Sequence, residues 1–330
     1  ARPALVRELT FASYSDPAPR PAAVEAAASD VEVTDLSVLV ASIDDATRAL
    51  GTPEQRKPWL PPLGEVVGLD DVEATGTGDL APLAVAWGVE DHPGDQRQRP
   101  AVFDLDADGH LFVIGSPRSG RSQTLRTLAG AMALRLGVGD VHMYGIDCGN
   151  GALLALGALP HCGAVVQRHE PDRVSRLLGI LLRTVQERQG AFAAGGYSSI
   201  AEQRTDAGTV PMPHIVVFLD QWESFMATLA DAENGMLHDA VQTLLREGVG
   251  VGVHLVVSGD RTLTSGRMSS QVERKLLLAL ADRGDYNYEG INGKKLPESI
   301  PPGRGFRNAT ATETQVAVLP GGLGGRDQAA

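Results

Sequence analysis

Long apolar runs, cysteine and positive charge are all scarce in this 330-residue sequence, and each scarcity excludes something. No stretch approaches the roughly 18 uninterrupted apolar residues that a membrane-crossing helix needs. The opening residues do not read as a signal peptide either, so no direct membrane insertion is expected. The two cysteines, Cys148 and Cys162, offer neither a disulfide framework nor a metal-ligand spacing, and they suit a reducing compartment as small core residues. Lysine and arginine number 29 against 41 aspartates and glutamates, a formal net charge of −12. Proteins that grip duplex DNA present a basic stripe, because counterion release supplies much of their affinity. This chain repels polyanions on average, and DNA is not an expected partner. What is present is globular: hydrophobic residues make up 43% and charged residues 21%, enough to build a core. The length suits one large α/β domain with an N-terminal appendage. The first residue is Ala1 rather than Met, and a strand-like run follows at once, so a piece of a longer polypeptide is expected.

The most informative stretch runs from Leu111 to Thr124. Leu111–Ile114 is a short apolar run, whereas Leu125, Leu128, Ala129, Met132 and Leu136 recur at helical spacing. Between them lie Gly115, Ser116, Pro117, Arg118, Ser119, Gly120, Arg121, Ser122 and Gln123. Gly115, Gly120, Arg121 and Ser122 occupy the spacing of a phosphate loop: glycine, four residues, glycine, a basic residue, then serine or threonine. Such a loop turns backbone N–H groups inward, and the dipole of the following helix adds to their attraction for phosphate. Ser122 is the expected ligand of Mg²⁺. The usual lysine is Arg121, whose planar fork cannot place a point charge between the β- and γ-phosphates in the same way.

Along the chain, Val6–Tyr14 alternates like an edge strand and 15–29 reads as a Pro/Ala-rich linker. Thr34–Leu50 reads as an amphipathic helix capped by Thr34 and stopped by Gly51. Trp59–Leu63 is an apolar strap expected to pack on the main domain. Strands are predicted at 80–89, 99–105, 141–148, 165–166, 214–219, 251–258 and 314–319, and helices at 171–189 and 239–247. The alternation argues for a mostly parallel sheet covered on both faces, with ligands at the carboxyl ends of its strands.

His214–Leu219 closes on Asp220, the pattern of a strand whose terminal carboxylate holds Mg²⁺ beside a phosphate loop. Active ATPases of this class carry Glu or Asp next, to deprotonate the attacking water; here it is Gln221. A neutral amide positions water but is a poor base, and lack of such a group costs about 10²–10⁴ in rate. The expected cofactors are therefore ATP and Mg²⁺, with ATP bound and cut slowly or not at all. Ser258, at the tip of the next strand, is a candidate sensor of the γ-phosphate. Arg261, Arg274 and Arg283 are candidates for an arginine offered to a neighbouring subunit.

Four segments together, 115–122, 147–161, 218–225 and 280–286, resemble an FtsK/SpoIIIE-type ATPase domain. Within that superfamily they are most similar to the tandem ATPase domains of the EccC family, the motors of type VII secretion. The resemblance implies a RecA-like P-loop NTPase fold over 59–320, with 1–58 as the connection from a preceding domain and 321–330 as a tail. It further implies a cytoplasmic domain of a membrane-anchored chain that forms hexameric rings, with the other ATPase domains of that chain as partners. Later domains of this family carry degenerate, regulatory ATP sites. One of them receives the C-terminal signal segment of WXG100-type (EsxB-like) secreted substrates in a hydrophobic pocket, for which apolar surface at 222–230 or 262–280 is the expected place. The alternative is an active hexameric DNA translocase of the FtsK/SpoIIIE type, which the charge balance and Gln221 disfavour.

Overall fold

The computed structural model describes residues 34–51, 60–73, 75–230 and 235–320. The strand expected at 6–14, the linker after it, Trp59 and the tail at 321–330 lie outside these residues. The chain divides into two units, Ala1–Lys57 and Pro58–Ala330. In the first, α1 (Asp35–Ala49) starts as its sequence dictates: the Thr34 side chain accepts from the Ser37 N–H, and the Ser37 side chain answers at the Thr34 N–H. Gly51 follows it at φ +61°. None of the α1 side chains is buried.

The second unit is built on one ten-stranded sheet. Its strands are β1 (Ala84–His92), β2 (Arg97–Asp104), β3 (Leu111–Ile114), β4 (Val141–Asp147), β5 (Cys162–Gln167), β6 (His214–Asp220), β7 (Val253–Gly259), β8 (Arg274–Leu278), β9 (Arg304–Arg307) and β10 (Glu313–Val316). Their order is β2-β1-β10-β9-β8-β3-β7-β6-β4-β5. From β8 to β5 every neighbouring pair is parallel. From β2 to β8 every pair is antiparallel. The parallel character therefore holds for the half that carries the phosphate loop. The added antiparallel flank includes β9, a segment for which the sequence pattern predicts no strand. The polar stretch 90–98 continues β1 and β2 as an edge hairpin and turns only at Pro93–Asp95, with Gln96 left-handed.

Helices cover both faces. Alternation along β3 sends Phe112 and Ile114 to one core and Leu111 and Val113 to the other. The first core is closed by α4 (Pro171–Gly195), α6 (Trp222–Leu229) and α7 (Met236–Glu247), and the second by α3 (Arg121–Arg135). Short helices α2 (Leu69–Glu73), α5 (Ile200–Thr205) and α8 (Gly266–Ser270) complete the unit. The strap is held by more than apolar contact. Leu63 is buried, and the Arg304 guanidinium donates to the carbonyls of Leu63 (2.8 Å) and Gly64 (2.9 Å). Cys148 is fully buried, which pushes its thiol up to about 12, and no group of His, Cys, Asp and Glu able to hold a metal occurs among the described residues. Among the same residues no helix is long and apolar enough to cross a membrane.

At the amino ends of β3, β6 and β7, His110, His214 and His254 form a buried chain. The Leu255 N–H donates to His110 Nδ1 (2.9 Å), so His110 Nε2 carries the hydrogen given to the Leu245 carbonyl (2.9 Å). His254 Nδ1 donates to the Gly109 carbonyl (3.0 Å), which leaves its Nε2 to accept from His214 Nδ1 (3.0 Å). One proton then belongs between His214 Nε2 and Asp106 Oδ1, 3.1 Å apart. Burial lowers His110 and His254 to about 4 and His214 to about 2. Unfolded imidazoles protonate near 6.5, so below that pH the unfolded chain binds more protons than the folded one. This contribution to stability is complete above about 6.5 and falls by about 1.4 kcal/mol per pH unit for each histidine as the pH drops toward 4. Urea midpoints should therefore decline steeply between pH 6.5 and 5; a flat profile there would contradict the buried chain.

Candidate functional site

The carboxyl ends of β3, β6, β7 and β8 meet at one edge of the sheet, and the loop from Gly115 to Gly120 is fastened there on three sides. The Gly115 N–H donates to the Gly259 carbonyl at the end of β7 (3.0 Å). The Ser116 N–H donates to the Ala279 carbonyl just beyond β8 (2.8 Å), and the Ser119 carbonyl accepts from the Gly303 N–H ahead of β9 (2.8 Å). Arg118 (φ +67°) and Gly120 (φ +107°) are both left-handed, the alternation that curls successive N–H groups into an anion-binding concavity. The N–H groups of Arg118, Gly120, Arg121 and Ser122 have no backbone acceptor among the described residues. Ser119 Oγ is buried without a hydrogen-bond partner. Ser119 Oγ faces back toward Gly115 and does not line the cleft; the four loop N–H groups are the donors for which a phosphate would supply acceptors.

From β6, Asp220 arrives beside this loop, fully buried. Its Oδ2 accepts from Ser122 Oγ at 2.7 Å, and its Oδ1 accepts from Ser258 Oγ. Burial raises its pKa above the ordinary carboxylate value, with the two serine hydrogen bonds and Arg121 acting in the opposite direction. A carboxylate and a hydroxyl in contact, both hard oxygen donors, are the pair an octahedral Mg²⁺ takes together with phosphate oxygens. The donor set therefore fits that ion.

The cleft next to the loop has a volume of about 620 Å³. Of the residues singled out in the sequence, Pro117, Arg118, Gly120, Arg121, Ser122, Gln123 and Gln221 line it. Gln221 sits left-handed (φ +63°) at the start of α6, its N–H donating to Ser258 Oγ at 3.0 Å. Ser258 itself is fully buried, with its hydroxyl committed to Asp220 and to the Gln221 backbone. It braces the site from behind and does not line the cleft. Asp147 is likewise structural: its Oδ1 accepts from the N–H groups of Gly149 and Gly151, and its Oδ2 from that of Leu153.

The three arginine candidates separate. Arg283 spends its guanidinium on the carbonyls of Gly293, Leu296, Pro297 and Glu298 and clasps that loop shut. Arg274 stands at the amino end of β8, the edge remote from the loop, paired with Asp108 at 2.7 Å. Arg261 is exposed just past β7, on the edge that carries the loop. Most of the apolar side chains expected to form surface at 222–230 and 262–280 belong to the core, although Met226 stays 38% exposed. Trp222 and Phe225 are buried and stacked 5.1 Å apart, and Leu263, Met268 and Val272 are buried too.

Several cleft residues had no motif to announce them: Glu65, Val66, Arg126, Glu223, Pro301, Pro302, Gly303, Gln315, Val316 and Val318. Only the Pro-Pro-Gly turn carried a local signal. Glu223, two residues beyond Gln221, places Oε1 2.8 Å from Arg121 Nη1.

A strand–loop–helix cradle and a serine–aspartate pair on the carboxyl edge of a parallel sheet define a P-loop ATPase fold. The sequence profile of the FtsK/SpoIIIE family matches residues 87–292, and the chain belongs to that family. It is 32% identical over 281 residues to the ESX-4 secretion system protein EccC4 of Mycobacterium tuberculosis, a match covering 83% of this chain and 22% of that protein. Among solved structures, the cytoplasmic domain of the Thermomonospora curvata type VII secretion ATPase EccC superposes with a TM-score of 0.69 at 29% identity. That match covers 81% of this chain and 32% of the other. ATPases 2 and 3 of the same EccC, solved in complex with a signal sequence peptide, give 0.67 at 29% identity over 79% of this chain and 49% of the other. The chain thus spans at most about half of each relative's length.

Proposed function

We propose that this domain binds Mg·ATP in the cradle formed by residues 115–122 and hydrolyses it slowly, acting as a regulatory domain within a longer type VII secretion ATPase. The observation that carries the reading is the pairing of the four loop N–H groups that lack backbone acceptors with the Ser122–Asp220 contact at 2.7 Å. Ser122 and Asp220 would hold Mg²⁺, which when bound neutralises charge between phosphate oxygens. The backbone from Arg118 to Gln123 binds and orients the triphosphate, and Arg118, Arg121 and Arg126 are the side-chain cations that line the same cleft. The Gln221 amide orients water at the cleft but has no basicity with which to take its proton. Slow turnover is the consequence.

The other ATPase domains of a multi-domain chain are the proposed neighbours, in a hexameric ring on the cytoplasmic side of a membrane-anchored assembly. The peptide complex of the Thermomonospora curvata relative supports extending the reading to a secreted substrate of the WXG100 type, recruited through its C-terminal signal segment.

Bound ligand stabilises the folded state in proportion to the logarithm of its concentration above Kd. Millimolar Mg·ATP should raise Tm, by the equivalent of about 2.7 kcal/mol at a hundredfold excess over Kd, while phosphate release stays near background. Melting indifferent to Mg·ATP would refute nucleotide binding, and brisk phosphate release would refute the regulatory reading alone.

A further inference from the structure

Arg118, Arg121 and Arg126 all line the cleft beside the phosphate loop, and the one at the loop's basic motif position, Arg121, is already engaged. Arg121 is the first residue of α3, and its guanidinium is 8% exposed. Its Nη1 lies 2.8 Å from Glu223 Oε1, yet no aligned hydrogen bond forms there and Nη1 stays without one. Glu223 is the second residue of α6, is 29% exposed, and borders the same cleft. Its other oxygen, Oε2, accepts from the Asp260 N–H at 3.2 Å, which fixes the carboxylate in front of the loop. Both ends of the pair are anchored by backbone: α3 begins at the loop, and α6 begins at the end of the strand that carries Asp220.

We propose that Glu223 is a latch on the nucleotide site, holding Arg121 away from phosphate so that an incoming ligand must break the ion pair before the guanidinium can serve it. This deepens, and rests on, the reading of 115–122 as a nucleotide cradle. The chemistry follows from charge alone. A guanidinium satisfies a carboxylate or a phosphate through the same planar fork, so the two compete. When phosphate wins, Glu223 is left partly exposed beside a polyanion, a like-charge contact that weakens binding further. A lysine at the loop position, with a compact ammonium on a flexible stem, would not be restrained in the same way; the arginine substitution and the glutamate therefore act together. The device sets affinity without touching the bond to be cut, as suits a domain whose occupancy is regulated.

The test is a double-variant cycle read by calorimetric titration with ATP and with inorganic pyrophosphate, which isolates the phosphate from the base. Glu223→Gln should tighten both ligands by about tenfold, the affinity equivalent of one charged contact. Arg121→Met should cost little affinity in the native background and at least about tenfold more in the Glu223→Gln background, because only there is the guanidinium unengaged beforehand. Ligand-free melting curves identify any variant that fails to fold, in which case Glu223→Ala takes its place. Unchanged or weaker binding by Glu223→Gln, or strictly additive effects of the two substitutions, would overturn the latch while leaving the nucleotide reading intact. Absence of binding by the native protein and every variant would overturn both.

Discussion

Gly120→Val should abolish the response to Mg·ATP and destabilise the ligand-free domain. Gly120 adopts φ +107°, ψ 8°, a conformation closed to a β-branched residue. A Cβ there would stand 2.7 Å from the Gly303 nitrogen and 3.1 Å from its Cα, both backbone atoms that cannot swing aside. The same Gly303 nitrogen donates to the Ser119 carbonyl, and the Gly120 carbonyl accepts from the N–H and the hydroxyl of Thr124. Relieving the clash thus opens the loop, its tie to the turn before β9 and the first turn of α3 together. Backbone strain of this kind costs about 1–3 kcal/mol, and misaligned loop donors should weaken ATP binding by about a hundredfold or more. Gly179→Ala is the control: it lies exposed within α4 with nothing within 4 Å of an added Cβ, and such a change should stabilise by up to about 1 kcal/mol without altering binding. If Gly120→Val bound ATP within a few fold of the native protein, the cradle would not be the nucleotide site.

The clash with Gly303 also marks the limit of what the sequence could disclose. The loop itself was legible because all its requirements are local: a buried strand, glycines where φ is positive, and a helix with an apolar face. Asp220 was legible for the same reason, as the polar end of a continuous apolar strand. Their meeting through Ser122 needed only the βαβ alternation between them. The turn at Pro301–Gly303 lies more than 180 residues from Gly120 in sequence, and nothing in its composition says that it closes the loop from above. Glu223 sits inside a segment that was noticed, yet its role depends on the reach of an arginine a hundred residues earlier. The arginines show the converse. Arg274 and Arg283 looked available because a sequence does not reveal which carbonyls or carboxylates a guanidinium will find. The apolar side chains at 222–230 and 262–280 are the place the family resemblance suggests for a peptide pocket, and a sequence does not show which layer covers them. Isolated histidines carry no periodic signal, so the buried chain through His110, His214 and His254 appears only once β3, β7 and β6 lie side by side.

Gln221→Glu should give the largest gain in activity, and Arg121→Lys combined with it should give more. The Gln221 side chain already lines the cleft, and its backbone is fixed at both ends: the N–H by Ser258, and the carbonyl by the N–H groups of Ser224 and Phe225. Across from it, a Cβ on Gly149 would lie 2.4 Å from Gln221 Nε2, so the absence of that carbon leaves the space in which the amide sits. Glutamate is isosteric and needs no new room. Two buried carboxylates, Asp147 and Asp220, stand nearby, and like charge raises the proton affinity of a third, which moves a glutamate toward the basicity that proton abstraction at neutral pH requires. Supplying the missing base should accelerate phosphate release by about 10²–10⁴, with ATP affinity changed far less. Lysine at position 121 would let go of Glu223 and return a point charge to the phosphates, adding to the gain. Single-turnover measurements with pre-bound Mg·ATP separate the chemical step from binding. Were both variants to retain ATP and release phosphate no faster than the native chain, Gln221 would not be what holds hydrolysis back, and the restraint would have to lie in a residue supplied by a neighbouring domain.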